Sequence, residues 1–201
     1  MWTSTTAFSS LIVCAWLGIA TWQDARTRQV SNWLTLAPLL LVVAWRAAQG
    51  DLAPLALLVA IVVVDPLPPG VRVGVMLPVC LVAARLSPSS DIVAIVWAVA
   101  YALSQLNLVG PADAKIAMSL ITLLPAPVMA WCMAGAVFAI SLGVTLWKHR
   151  LRTPQVILHR MRDVLALRLP THAEMESGGF PVAGAFGLAF VMYSAYTAAT
   201  H

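Results

Sequence analysis

Residues 126–147, APVMAWCMAGAVFAISLGVTLW, run for 22 positions without a single charge. A helix that crosses a bilayer needs about 20 mainly apolar residues. Working outward, similar apolar runs occupy residues 5–22, 33–49, 52–65, 71–86, 91–109, 113–124 and 181–198. The runs 52–65 and 113–124 are short for a full crossing and read as tilted or half-inserted helices. Hydrophobic residues make up 61% of the 201 and charged residues only 10%. A water-soluble domain carries about a quarter charged residues. So little charge cannot cover a water-facing surface, so most of the surface is expected to face lipid. The expected fold is all-α: a polytopic membrane helix bundle of about 6–8 segments, forming one domain over residues 1–201.

The polar connections fix an orientation. With loop 23–32 placed in the cytoplasm and sides alternating thereafter, Arg26, Arg28, Arg72, Lys115, Lys148, Arg150, Arg152, Arg160, Arg162 and Arg168 fall inside, leaving Arg46 and Arg85 outside. Ten of twelve basic residues inside is the bias that membrane insertion imposes. Residues Met1–Trp22 carry no Lys or Arg ahead of their apolar run, so they read as a retained first span rather than a cleaved signal. The longest polar stretch is 148–180. Within it, Gln155–Leu169 places Ile157, Met161, Val164 and Leu165 at helical spacing among arginines, the pattern of a basic amphipathic helix on the cytoplasmic leaflet. The net charge of +4 follows from this topology. No basic stripe interleaved with aromatics points to nucleic acid; the implied partner is lipid.

Cys14, Cys80 and Cys132 each stand alone in apolar stretches, which excludes a CxxC metal or disulfide framework and reads as apolar packing. His149, His159, His172 and His201 lack ligand spacing. No metal or cofactor is expected.

With eight acids in the chain, each can be weighed. Asp51 and Asp91 begin apolar segments on the outer side and read as helix N-caps. Asp65 precedes Pro66, which ends a helix, so it reads as a loop or capping residue. Asp163, Glu174 and Glu176 belong to the polar loop. Asp24 and Asp113 remain. Asp24 closes the first span in WQDARTRQVSNWLT, residues 22–35, and Asp113 opens a helix in GPADAK, residues 110–115. The topology brings both to the cytoplasmic boundary, where acids at membrane depth are candidate functional groups. The blander readings are a cap after a Gly-Pro turn for Asp113 and a loop charge beside Arg26 and Arg28 for Asp24.

These stretches resemble a known family. DARTRQVSNWLT, residues 24–35, is similar to the first aspartate motif of the type IV prepilin peptidases, an aspartate in a short basic loop followed by Pro-Asn and an apolar span. GPADAK resembles their second, Gly-x-hydrophobic-Asp motif, and GGFPVAGAFGLAF, residues 178–190, resembles the Pro- and Gly-rich opening of their last span. Ser31 stands where the family usually has proline, Ala112 where glycine is commoner, and an extra pair of segments separates the aspartates. The paired CxxC motifs of the larger bifunctional forms are absent, so the resemblance is to the short, peptidase-only form of Tad-type and archaeal pilus systems.

The resemblance implies an aspartic endopeptidase of the plasma (inner) membrane, with its site facing the cytoplasm. It would remove the leader peptide of a prepilin or pilin-like precursor, with Asp24 and Asp113 catalytic and Asn32, Gly110, Lys115, Pro181 and Gly184 in support. Gly110 and Pro111 suit a non-helical approach to the second aspartate. Lys115 and Arg26 are placed either to bias the protonation of the pair or to hold a lipid phosphate. Pro181, Gly184 and Gly187 offer small surfaces for a substrate helix or for plain helix packing. A different class is a non-enzymatic transporter or assembly subunit whose charges are caps and anchors. A signal-peptide-peptidase type enzyme would want Tyr and Gly where this chain has Gln23 and Ala112.

Overall fold

The computed structural model describes residues 4–27, 30–85, 90–105, 109–149, 158, 162 and 182–200. Among these there are eight extended helices and no strand: α1 (Ser4–Thr27), α2 (Asn32–Ala48), α3 (Ala53–Val64), α4 (Pro69–Ala84), α5 (Ser90–Gln105), α6 (Pro111–Leu123), α7 (Pro127–His149) and α8 (Val182–Thr200). They coincide in order with the eight apolar runs, and the protein is all-α as expected. The amphipathic segment 155–169 lies outside the described residues apart from Leu158 and Arg162, both helical.

Proline and glycine punctuate the chain. Pro54, Pro69, Pro111 and Pro127 all sit in the first turn of their helices, where a missing N–H costs nothing. α2 ends at Gly50, whose φ of +88° lies in the left-handed region that only glycine adopts freely. The Gly50 N–H donates to Ala47 and the Asp51 N–H to Arg46, which closes the last carbonyls in a Schellman arrangement. Asp51 then pairs with Arg46 at 2.8 Å and also accepts the Ala53 N–H at 3.3 Å. The N-cap position of α3 is Leu52, so Asp51 braces the start of the helix from the residue before the cap instead of capping it as expected. Asp91 lies in the first turn of α5.

Pro38 lies inside α2 and cannot donate to the Leu34 carbonyl one turn before it. The indole N–H of Trp16 on α1 donates there instead, at 2.8 Å. A buried carbonyl is thereby satisfied by a neighbouring helix.

α6 is the centre of the bundle. It packs against α2 and α5, and against α7 and α8 more lightly. Ala114 and every residue from Ile116 to Thr122 are buried. Its two buried hydroxyls are satisfied locally: Ser119 donates to the Lys115 carbonyl and Thr122 to that of Met118, each at 2.7 Å. The Trp97 indole of α5 donates to Thr122 at 3.0 Å. α8 packs against α7 and α1, and α4 against α5 and α3. Around this core, large apolar side chains such as Leu41, Val62, Leu81 and Phe138 stand exposed in mid-helix.

Among the described residues one stretch, Pro127–Val144 of α7, is long and apolar enough by length and composition to cross a membrane, with mean hydropathy 1.8. Only 17% of it is buried, unlike the core helix of a water-soluble protein.

Candidate active site

Asp24 lies in the last turn of α1 and Asp113 in the first turn of α6. Both are half-buried. Gly110 is the N-cap of α6 in extended conformation, and Pro111 starts the helix. A Cβ at position 110 would stand 3.0 Å from Asp113 Oδ2, so the carboxyl would have to give by a few tenths of an ångström. The Asp113 carboxyl therefore folds back over the start of its own helix, where the helix dipole and free N–H groups favour an acid.

Asp113 stands two positions before Lys115, and the uninterrupted buried run of α6 begins at Ile116. The half-buried Asp113 carboxyl feels the negative charge of Asp24. The two aspartates singled out in the sequence are thus brought within electrostatic reach of each other, across 89 positions of chain.

The supporting residues fall into place unevenly. Lys115 Nζ donates to Asn32 Oδ1 at 3.2 Å, tying the first turns of α6 and α2 together. That contact is exposed and gives the ammonium a partner within the protein, beside the lipid phosphate the sequence left open. Arg26 instead stacks over the Trp22 ring at 5.3 Å, on the exposed side of α1. Gly184 packs against α1: a Cβ there would meet Thr21 Cγ2 at 3.3 Å, so this position serves close helix packing. Pro181 lies outside the described residues. Gly187 has open space around it and lines a shallow apolar groove between α1 and α8 with Gly18, Thr21, Ala25 and Leu188. Cys80 is buried and Cys132 half-buried, but Cys14 is exposed on the wall of this groove, so the packing role expected of it does not hold.

Asp65, another acid on the side assigned to the cytoplasm, is exposed and pairs with Arg72 at 3.5 Å. Arg72 also donates to the Leu67 carbonyl and, at 3.3 Å, to Gln105 Oε1. This polar knot ties together the ends of α3, α4 and α5. Among the described residues no group of three or more His, Cys, Asp or Glu is arranged to hold a metal.

Two participants escaped the sequence reading. Gln23 Oε1 accepts the Ser31 N–H at 3.3 Å, bridging the loop between the first two helices, and Trp16 serves the Leu34 carbonyl. The first was signalled by Ser31 standing where the related motif has proline, the second by Pro38 standing one turn after Leu34. Comparison with family models, with curated proteins and with solved structures finds no match to the chain.

Proposed function

We propose that the chain is an intramembrane aspartic endopeptidase that removes the leader peptide of type IV prepilin-like precursors at the cytoplasmic face of the plasma membrane. One observation carries this reading: the fold brings Asp24, at the end of α1, and Asp113, at the start of α6, within electrostatic reach of each other across 89 positions of chain. Such a pair is poised to share one proton. Asp24, ionised, takes a proton from a water molecule, and the hydroxide formed attacks the scissile carbonyl. Asp113, protonated, donates a hydrogen bond to the developing oxyanion and then delivers its proton toward the leaving amine. The two act as one titrating unit.

The polytopic arrangement, with six to eight segments in the bilayer, belongs to the same proposal. Exposed tryptophans support it. Trp22, Trp33 and Trp147 stand at helix ends on the side assigned to the cytoplasm, and Trp45 and Trp131 near the opposite ends. Tryptophan at two levels is the mark of two membrane–water interfaces. The 16 positions from Trp131 to Trp147 span about 24 Å of helix, close to one hydrocarbon thickness. The groove between α1 and α8 runs to Ala25, beside Asp24, and suits an apolar substrate helix arriving from the bilayer.

Co-expression with a prepilin tests the proposal. Asp24→Asn and Asp113→Asn are each expected to abolish leader removal, the double variant costing little more than either. Asp65→Asn is expected to retain it, because its partner is Arg72. Substantial cleavage by Asp113→Asn at normal protein levels would instead favour a transporter or assembly subunit. Cysteine labelling at positions 28 and 152 checks the orientation; opposite faces would refute it.

A further inference from the structure

The two aspartates are joined by a second route besides the helices that carry them. Asp24 is bonded in sequence to Gln23, whose Oε1 accepts the Ser31 N–H at 3.3 Å. Ser31 is bonded in sequence to Asn32, whose Oδ1 accepts from Lys115 Nζ at 3.2 Å. Lys115 lies two positions beyond Asp113 on α6. We propose that Gln23, Ser31, Asn32 and Lys115 form a positioning belt that sets the separation of the Asp24 and Asp113 carboxyls. The inference rests on the dyad reading above.

Several observations converge on it. Gln23 and Ser31, which with Ala112 are positions where this chain departs from one or other of the motifs it was compared with, are the two partners of one hydrogen bond. A proline at position 31 has no N–H to donate, so the bond is available only because serine stands there. The connection between α1 and α2 holds four residues, and the Gln23–Ser31 bond closes it. Residues two apart on a helix point about 200° apart. Lys115 can therefore grip α2 while Asp113 faces away from that contact, folded back toward Gly110. The belt thus braces the site from outside.

The test uses the full chain in detergent or vesicles, with a prepilin substrate and a pH–rate profile. Gln23→Ala and Ser31→Pro are each expected to lower kcat about 10- to 100-fold with little change in KM, since small misplacements of reacting groups cost that much. The double variant falls no further, because both changes cut the same bond. Asn32→Leu and Lys115→Met behave likewise, whereas Asn32→Asp, which keeps the acceptor oxygen, retains cleavage. A merely structural role would lower the whole pH profile without moving it. Loosening the belt separates the like charges and moves the alkaline limb to lower pH. An unmoved limb in both Gln23→Ala and Ser31→Pro, or wild-type cleavage by Lys115→Met, overturns the belt alone. A wild-type chain that cleaves no prepilin overturns the dyad reading and the belt with it.

Discussion

Asp113→Asn is expected to stabilise the folded protein at alkaline pH while it removes activity. In the fold the Asp113 carboxyl is half-buried and within reach of the Asp24 charge. An ionised carboxylate so placed loses part of its hydration and is repelled by a like charge. Ionising it in the folded chain is expected to cost about 2 kcal/mol, so stability falls as pH rises. Asparagine stays neutral at every pH and escapes this cost. The assay is unfolding in mixed micelles of rising SDS fraction, at pH 4.5 and pH 8. The variant and the wild type should unfold together at the lower pH, and the variant later at the higher. Asp24→Asn should flatten the wild-type dependence in part, since it removes the smaller of the two causes. An Asp113→Asn protein no more stable than wild type at pH 8 would refute the reasoning.

Other perturbations follow from the same geometry. Gly110→Ala puts a Cβ 3.0 Å from Asp113 Oδ2 and must push the carboxylate by a few tenths of an ångström; cleavage should drop about 10-fold or more while the yield of folded protein, read by gel filtration, stays unchanged. Trp16→Phe leaves the Leu34 carbonyl without its donor and should cost about 1–3 kcal/mol in SDS unfolding. In a Pro38→Ala background, where α2 regains its own N–H, the same change should cost clearly less; equal costs would show that the indole bond is not the cause. Arg46→Ala strands Asp51 at a largely buried site and should destabilise by about 3 kcal/mol, with leader cleavage by the remaining folded protein preserved.

The helical order was legible because the apolar runs are long and divided by polar or turn residues. Each of the eight became a helix, although five carry one or two charges, and prolines 54, 69, 111 and 127 stand in first turns. Asp24 and Asp113 were legible for a related reason: acids are scarce here, and topology alone sends most of the others elsewhere. What joins them was less visible. A backbone N–H at Ser31 carries no trace in the side-chain pattern, and only its departure from proline hinted at it. The Lys115 ammonium was readable as a lipid anchor because its partner, Asn32, lies 83 positions away. Gly184 illustrates the ambiguity of small residues, which serve a substrate and a neighbouring helix equally well until Thr21 is seen against it. Cys14 was misjudged because an apolar run does not say which of its faces is covered.

The short central helix bears on how the protein is made. α6 has 13 residues, opens with Asp113 and Lys115, and is surrounded by α2, α5, α7 and α8. A segment so short and so charged at its start partitions poorly into a bilayer by itself. In the proposed topology it must enter behind helices that the ribosome delivered earlier, α2 and α5, and it is sealed only when α7 and α8 arrive. Asp113 therefore meets Asp24 late in biogenesis, once the lipid-exposed scaffold is complete. On that reading, a nascent chain arrested before α8 would carry both carboxyls without the enclosure of the finished bundle.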